Sequence, residues 1–287
     1  MKLQPGKSAP ARIGIIGGSG TDRLPGAEVQ DILTPETPYG STSGPVTLAT
    51  VAGRSVAFLA RHGANHALPP QRINYRANFW ALKSLGIEAV IASSAVGGLR
   101  PGYGPGTFVV TDQLIDRTWG RHDTYFDGEL PTGVHHLPAS VPFSSELREH
   151  LHRALTAQAL PFRDKGTVVV INGPRFSTRA ESSWYAAAGA DIISMTQYPE
   201  PVLAAELNMG FANLAYVTDS DTGHDGTDPV TAEAVFERLK AAQPQIMNVI
   251  ESIITTLDDG YRPPQQMDPA AVGTVMDQST AAAAGRR

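Results

Sequence analysis

Hydroxyl and cationic side chains stand at the ends of several stretches that are typical of buried strands. Arg61 and His62 follow one stretch, Ser94 and Thr196 close two more, and Ser19 follows a glycine pair after a fourth. In an open α/β sheet ligands bind outside the carboxyl ends of the strands, and donor groups placed there bind anions. Because all four strand ends present such groups, the sequence predicts one anion pocket that they share.

Two carboxylates follow the last clear strand, at 211–218. Asp219 and Asp221 are two positions apart, which on an extended chain places them on one face within about 7 Å of each other. Such a pair could bind a metal, flank a glycosidic bond as in a glycosidase, or form a polar recognition edge, and each Asp could also simply initiate a turn. A metal would require further ligands, for which His224 and Asp225 are the only nearby candidates.

The sequence offers few nucleophiles of its own. It contains no cysteine, which excludes cysteine nucleophiles, disulfides and thiolate metal sites, and it has no Gly-x-Ser-x-Gly elbow. The glycine run at 14–20 has neither the third glycine of a dinucleotide fingerprint nor the Lys-Ser/Thr of a P-loop. An anion pocket beside two carboxylates is what a reaction with inorganic phosphate as the nucleophile requires.

Alternating strands and helices must position these residues. Short apolar runs predict strands at 12–16, 47–51, 55–60, 88–92, 107–111, 166–171, 191–194 and 211–218. Helical spacing, capping signals and prolines predict helices at 74–85, 143–160, 178–189, 199–209 and 230–257, the last broken or kinked near Pro244.

This alternation predicts a single α/β domain over 12–257, with a mixed, largely parallel central sheet flanked by helices. Residues 1–11 are expected to form a flexible leader. The polar, aromatic segment 112–128 lacks helical periodicity and is expected to be a long functional loop. From residue 258 to 287 the composition turns to Pro, Gln and Ala, which predicts a disordered tail.

Composition narrows the class of protein. The 287 residues are 41% hydrophobic and 18% charged, as in a globular protein, and the net charge is −5. A negatively charged chain has no general electrostatic attraction for nucleic acid or for an acidic membrane surface, so any anion site must be local. No apolar run reaches the roughly 18 residues of a membrane span. We therefore expect a cytoplasmic protein with no nucleic-acid partner and no membrane partner.

Six motifs along the chain occur together in one known family. They are Gly17-Gly18-Ser19-Gly20, Arg61-His62-Gly63, Asn74-Tyr75-Arg76-Ala77-Asn78, Asp116-Arg117-Thr118, Gly173-Pro174-Arg175-Phe176-Ser177-Thr178-Arg179-Ala180-Glu181 and Met195-Thr196. In this combination the chain, from Ile13 to Leu257, resembles the methylthioadenosine and purine nucleoside phosphorylases of the trimeric type. The resemblance implies a phosphorylase-type α/β fold, a homotrimer or a dimer of trimers, no metal, and no cofactor beyond inorganic phosphate as co-substrate.

The resemblance also implies roles for individual residues. It places phosphate against Ser19, Arg61, His62, Ser94, Ala95 and Thr196. It makes Met195 a ribose contact, Phe176 and Ser177 walls of the base pocket, and Asp219, Ser220 and Asp221 contacts of the nucleoside. His66 and His136 match positions near the 5′ end of the nucleoside, and His136 would come from a neighbouring subunit. The local sequence by itself indicates only a surface loop at His136.

Within that family the aspartates bear on the choice of purine. Asp221 can accept a hydrogen bond from an exocyclic amino group, and a protonated Asp219 can donate to purine N7, whereas an asparagine at 219 would suit a 6-oxopurine. The resemblance makes Asp219 and Asp221 the catalytic residues, and the pair favours adenine as the base. The absence of an identifiable polar partner for the 5′ position favours 5′-methylthioadenosine over adenosine. The acid role requires that burial and the neighbouring Asp221 raise the pKa of Asp219.

Three alternatives stay open. The chain could be a phosphorylase of the same fold that acts on inosine, guanosine or adenosine. It could also be a nucleoside hydrolase, which works without phosphate. The third alternative is a purine sensor without catalytic activity, which the intact Arg61, His62 and Ser94 disfavour.

Overall fold

The computed structural model describes residues 11–21, 23–223, 226 and 230–278. Positions 1–10 of the expected leader, 279–287 of the expected tail, and the weighed metal ligands His224 and Asp225 lie outside the described residues. The strands are β1 (Ile13–Gly17), β2 (Glu28–Leu33), β3 (Val46–Val51), β4 (Arg54–Ala60), β5 (Ala89–Gly98), β6 (Phe108–Val110), β7 (Gln113–Arg117), β8 (Phe162–Arg163), β9 (Thr167–Ile171), β10 (Ile192–Ser194) and β11 (Gly210–Asp219). The helices are α1 (Tyr75–Ser84), α2 (Ser145–Ala157), α3 (Arg179–Ala187), α4 (Glu200–Glu206), α5 (Ala232–Thr256) and α6 (Pro269–Met276).

The strands of the described residues form one mixed sheet. Its main path runs β2-β3-β4-β1-β5-β10-β9-β7, while β11 lies on the other side of β5 and continues the sheet to β6 and β8. Six of the strand pairs are parallel, and the pairs β2-β3, β3-β4, β5-β10 and β6-β11 are antiparallel. The prediction of a mixed, largely parallel sheet is therefore confirmed.

Helices cover both faces of this sheet. Successive residues of β5 alternate between two hydrophobic clusters, with Val90 and Ala92 in one cluster and Ala89 and Ile91 in the other. Helices α1, α4 and α6 contribute to the first cluster, and α2 and α5 contribute to the second. Because β5 is covered on both sides, it is apolar on both faces, as the sequence predicted for 88–92.

Strand β5 changes neighbours along one edge. Its residues up to Ala92 pair with the parallel β1, whereas Gly97 and Gly98 pair with the antiparallel β10. Between these pairings Ser93 has other partners along this edge: Arg61 Nη1 donates to Ser93 O at 2.7 Å, and Gly18 N, in the turn after β1, donates to Ser93 Oγ at 3.2 Å. The sheet thus opens at a point where its topology changes, which is where α/β proteins bind ligands.

One expectation about local structure is wrong, and of the two alternatives for the last long helix, broken or kinked near Pro244, the first is excluded. The predicted loop at 112–128 contains β7 (Gln113–Arg117), which pairs with β9 and is extended because that strand provides its partner groups. The last long helix is not broken at Pro244, since α5 runs from Ala232 to Thr256 through it.

The prediction of a disordered tail is also wrong for residues 258–278. This segment contains α6, whose Val272 and Val275 are buried in the first hydrophobic cluster. Trp80 Nε1 of α1 donates to Val275 O at 3.1 Å, and Asn208 Nδ2 donates to Met267 O at 2.9 Å. The Pro- and Ala-rich composition was misleading because these few apolar side chains are enough to dock the segment on an existing core.

Candidate active site

A cavity of about 240 Å³ lies where the sheet opens. Twelve of the predicted site residues line it: Ser19, Arg61, His62, His66, Ser94, Ala95, Phe176, Ser177, Met195, Thr196, Asp219 and Asp221. The other two do not. Ser220 is buried between the two aspartates without reaching the cavity wall, and His136 is exposed on the segment between β7 and α2.

Arg61 is held rigidly just after β4 and is only 1% exposed. Its Nε and Nη2 donate to the two carboxylate oxygens of Glu200 at 2.5 and 2.9 Å, and its Nη1 donates to Ser93 O at 2.7 Å. A guanidinium has five N–H groups, so two remain for a ligand in the cavity. Gly18 permits this packing, because a Cβ there would lie 2.4 Å from Ser93 O and 3.1 Å from Arg61 Nη1.

Glu200 is a site residue that the sequence analysis missed. It lies in the first turn of α4 and is 1% exposed. An acidic residue after a proline is ordinary at a helix start, so nothing local indicated that its partner would be Arg61, 139 positions away. Because Glu200 neutralises Arg61, an anion in this cavity is held mainly by directed N–H and O–H donors rather than by a net positive charge.

His62 is a neutral imidazole at pH 7. Burial lowers the pKa of His62 to about 3, and His66 and Arg61 add to this, whereas the bond to Leu68 O raises it. His62 Nδ1 lies 2.8 Å from Leu68 O, so Nδ1 carries the proton and Nε2 is an acceptor. The expectation of two adjacent cationic donors is therefore wrong for His62. As an acceptor, Nε2 can take a hydrogen bond from a protonated phosphate oxygen.

Ser94 presents its hydroxyl at the cavity wall with support from behind. Gln197 Nε2 and Asn213 Nδ2 lie 3.0 and 2.9 Å from Ser94 Oγ, and both amide side chains are fully buried. The sequence analysis singled out neither amide. Thr196 and Ser19 also line the cavity, after β10 and β1. This end of the cavity is therefore rich in hydrogen-bond donors.

Asp219 closes β11 at a β-bulge. The pairing of β11 with β5 shifts between Val217 and Asp219, so Thr218 is the inserted residue. Thr218 Oγ1 donates to Asp219 Oδ2 at 2.7 Å, and Asp221 N donates to Asp219 Oδ1 at 2.9 Å. Burial, with a smaller contribution from the charge of Asp221, raises the pKa of Asp219 to about 6, although the two hydrogen bonds and the charge of Arg238 act to lower it. The condition for an acid role is therefore met.

Asp221 is brought beside Asp219 by a turn rather than by one face of an extended strand. Its backbone is left-handed, with φ of 47°, and its Oδ2 accepts from Ser182 Oγ of α3. Gly97 of β5 faces both carboxylates, because a Cβ there would lie 2.9 Å from Asp219 Oδ1 and 3.2 Å from Asp221 Cβ. A glycine at this position is what makes room for the pair.

The wall between the two ends contains a hydroxyl without a partner. Ser177 Oγ is buried, and no hydrogen-bond partner for it exists among the described residues. Because buried hydroxyls in native proteins are nearly always bonded, this atom is suited to a polar ligand atom. Next to it, the carbonyl of Met195 accepts from Arg121 Nη2 at 2.8 Å, which fixes the loop after β10.

An apolar wall that the sequence analysis missed comes from the first turns of α5. Ala232, Val235 and Phe236 line the cavity there, and the ring of Phe236 meets that of His66 edge-on at 5.5 Å. The sequence predicted this helix, but the spacing of its apolar residues indicated only the side of the helix that packs on the sheet. Which residues of its first turn face a ligand depends on where the helix docks.

Within the described ranges, no group of three or more His, Asp or Glu side chains is placed to hold a metal ion. No helix in that part of the chain is long and apolar enough to cross a membrane.

Comparison with known proteins gives consistent matches. The model of the phosphorylase superfamily matches residues 12–255. The chain is 46% identical over 239 residues to the S-methyl-5′-thioadenosine phosphorylase of Mycolicibacterium smegmatis, covering 83% of this chain and 88% of that protein. It is 44% identical over 254 residues to a purine nucleoside phosphorylase of Streptomyces coelicolor, covering 86% and 89%. The structure superposes on the methylthioadenosine phosphorylase of Schistosoma mansoni in complex with adenine with a TM-score of 0.82, at 34% identity, covering 85% of this chain and 91% of that one.

Proposed function

This chain belongs to the phosphorylase superfamily, and we propose that it catalyses the phosphorolysis of 5′-methylthioadenosine. A phosphate oxygen forms a bond to C1′ of the ribose as the bond from C1′ to purine N9 breaks. The electron pair of that bond goes to the purine, which takes a proton at N7 and leaves as adenine. The second product is 5-methylthioribose 1-phosphate. Inorganic phosphate is the co-substrate, and we propose no other cofactor.

The donor-rich end of the cavity suits phosphate. Two N–H groups of Arg61 and the hydroxyls of Ser19, Ser94 and Thr196 are available there, and His62 Nε2 can accept from a protonated oxygen. Each hydrogen bond to a charged group contributes about 1.5–3 kcal/mol, so a few of them hold the anion without a net positive charge. The bound phosphate then stabilises the positive charge that develops on the ribose.

The single observation that carries the proposal is Asp219, a buried aspartate with a pKa raised to about 6 beside a second carboxylate. A base lying over it would remove more water and raise this pKa further. A protonated Asp219 donates to N7, and Asp221 accepts from the amino group at C6. A 6-oxopurine offers an oxygen in place of that amino group, which would leave Asp221 facing another acceptor.

The apolar turns of α5 favour a methylthio group over a hydroxyl at the 5′ position. Val235 and Phe236 offer no hydrogen-bonding atom on their side chains, whereas a 5′-hydroxyl would need a partner when buried. His66 is the polar ring closest to this wall, and it contacts Phe236. We therefore propose that this wall covers the 5′ substituent.

The proposed function is tested by measuring release of adenine or hypoxanthine from 5′-methylthioadenosine, adenosine and inosine, each with and without phosphate. We expect the highest kcat/KM with 5′-methylthioadenosine, and no release without phosphate. Preference for inosine would support the purine nucleoside phosphorylase function named for the Streptomyces coelicolor relative and overturn our reading of the aspartates. Release that does not need phosphate would indicate a hydrolase, and no release from any nucleoside would indicate a sensor.

We also propose that the enzyme is a homotrimer, or a dimer of trimers, in the cytoplasm, and that His136 completes the 5′ end of a neighbouring subunit's cavity. In support, His136 is exposed and lies outside its own cavity, and two apolar side chains near it in the sequence, Val134 and Val141, are 65% and 56% exposed and available to pack against a neighbouring subunit. Light scattering should give a mass of three or six chains. His136→Ala should raise KM for the nucleoside and leave KM for phosphate unchanged, whereas a monomer with full activity would refute the proposal.

A further inference from the structure

Two buried amide side chains meet at one hydroxyl behind the phosphate end of the cavity. Gln197 Nε2 lies 3.0 Å and Asn213 Nδ2 lies 2.9 Å from Ser94 Oγ. Both amides are 0% exposed, whereas Ser94 lines the cavity. Gln197 comes from the loop before α4, Asn213 from the middle of β11 and Ser94 from β5, so three parts of the fold converge on this oxygen.

The single proton and the two lone pairs of Ser94 Oγ decide whether this hydroxyl donates into the cavity. A serine hydroxyl has one proton to donate and two lone pairs with which it accepts. The amide nitrogens of Gln197 and Asn213 both face Ser94 Oγ and occupy its two lone pairs. The proton of Ser94 then has no acceptor behind it and is left for the cavity. An amide that turned its oxygen toward Ser94 would instead compete with a bound anion for that proton.

The orientation of the two amides leaves their own carbonyl oxygens without a hydrogen bond from the described residues. Gln197 Oε1 and Asn213 Oδ1 are buried and have no hydrogen-bond partner among the described residues. A buried carbonyl without a partner destabilises a folded protein. Turning either amide would give its oxygen the proton of Ser94 as a partner, yet both amides present their nitrogens. With both nitrogens on Ser94 Oγ, the proton of Ser94 points to the cavity, where a bound anion can accept it.

We propose that Gln197 and Asn213 are positioning residues for phosphate, because they hold Ser94 as a hydrogen-bond donor to the anion. The inference rests on the proposed phosphorolysis and extends it to two residues that do not touch the substrate. It also explains why a neutralised Arg61 is sufficient nearby, since a hydroxyl fixed in the donor orientation needs no reorientation when phosphate arrives.

The first experiment is Gln197→Met, which keeps the length of the side chain and removes its donor. Because the substitution also removes the unpaired Oε1, the variant should fold with a Tm close to that of the wild type. We expect KM for phosphate to rise about tenfold, as for one weakened bond to a charged group. At saturating phosphate we expect kcat and KM for the nucleoside to stay within about twofold, because a bond from Ser94 that phosphate makes equally in the ground state and the transition state affects KM for phosphate alone.

Asn208→Ala is the matched control. Asn208 is another buried amide, and it bonds Met267 O at 2.9 Å near the end of the chain rather than any residue of the cavity. The control should lower Tm and leave KM for phosphate unchanged. If it raised KM for phosphate as much as Gln197→Met does, the effect of Gln197 would be a general consequence of weaker packing, and the inference would be wrong.

The decisive measurement repeats Gln197→Met in a Ser94→Ala background. If Gln197 acts through the hydroxyl of Ser94, the double variant should have the same KM for phosphate as Ser94→Ala alone, within about twofold. Additive effects, in which Gln197→Met again raises KM about tenfold without the hydroxyl present, would contradict a positioning role.

Asn213→Leu provides the second arm of the test and serves in place of Gln197→Met if that variant does not fold. It removes the other donor and the other unpaired oxygen, and it should show the same selective rise in KM for phosphate. A wild-type enzyme that releases adenine without phosphate would refute the proposed function itself. A phosphate-dependent wild type with unchanged KM for phosphate in both amide variants would refute this inference alone.

Discussion

Asp219→Asn removes the acidic proton from the base end of the cavity and leaves the shape of the site almost unchanged. In the wild type, Thr218 Oγ1 donates to one carboxylate oxygen at 2.7 Å and Asp221 N donates to the other at 2.9 Å. An asparagine keeps one oxygen for Asp221 N and turns its NH₂ group to Thr218. The Thr218 hydroxyl can accept from that group and still donate to Val96 O, 3.3 Å away. The free energy of unfolding should therefore change by no more than about 1 kcal/mol.

The effect of Asp219→Asn on catalysis should be much larger. A positioned general acid typically contributes about 10²–10⁴-fold to the rate, and a hundredfold loss corresponds to about 2.7 kcal/mol of transition-state stabilisation. We expect kcat/KM for 5′-methylthioadenosine to fall at least about 100-fold, with KM for phosphate unchanged. In the wild type, kcat/KM should fall as the pH rises through about 6, because Asp219 then loses its proton. The variant should lack this decline.

The assay measures adenine release at saturating phosphate from about pH 5 to about pH 9, together with Tm. Inosine serves as the internal control, since an asparagine at this position should reduce its turnover far less. A variant with wild-type Tm that retains 5′-methylthioadenosine turnover within about tenfold, roughly 1.4 kcal/mol, would refute the acid role of Asp219. So would a decline above pH 6 that persists in the variant.

Three further variants probe other parts of the site and fold. Glu200→Gln leaves the buried guanidinium of Arg61 without its counter-charge, so urea denaturation should show a loss of about 3–5 kcal/mol, part of which added phosphate should restore. Phe236→Ala should lower kcat/KM for 5′-methylthioadenosine about tenfold more than that for adenosine, and equal losses would place the 5′ substituent elsewhere. Burial raises the pKa of Glu206 to about 7, so its contribution to stability is present at low pH and lost as the pH rises through about 7. Between about pH 5 and pH 8 the unfolding free energy of the wild type should fall by up to roughly 3 kcal/mol relative to that of Glu206→Gln, in which position 206 does not titrate; parallel curves would contradict this role of Glu206.

Local sequence patterns correctly predicted the strands in which one residue after another is apolar and buried. The apolar run at 166–171 is strand β9, and the run at 88–92 is the first half of β5. The second half of β5, up to Gly98, was not predicted, because its serines and glycines have low strand propensity and are extended by pairing with β11 and β10. The edge strand β2 was missed for a different reason, since it is exposed over most of its length and carries no burial pattern.

The residues of the candidate site also divide into those that the sequence predicted and those that it did not. Ser19 and Arg61 were predicted correctly, because the carboxyl ends of the parallel strands β1 and β4 lie at one edge of the sheet. Thr196 reaches the same cavity for a different reason, since β10 runs antiparallel to β5 and leads the chain back toward Ser94. Gln197 gave no such signal, since a polar residue in a loop is ordinary and its role depends on Ser94, 103 positions away. Glu200 gave no signal either, because an acidic residue is ordinary in the first turn of a helix.

The sequence by itself therefore determined the fold class, the donor groups at the anion site and the pair of carboxylates, because these follow from residue types and from periodicity within short segments. Only the tertiary structure decided the protonation and orientation of those groups. Burial makes His62 neutral and raises the pKa of Asp219, and two amides turn the hydroxyl of Ser94 toward the cavity. Such properties arise from desolvation and from contacts between distant segments, which exist only once the chain has folded.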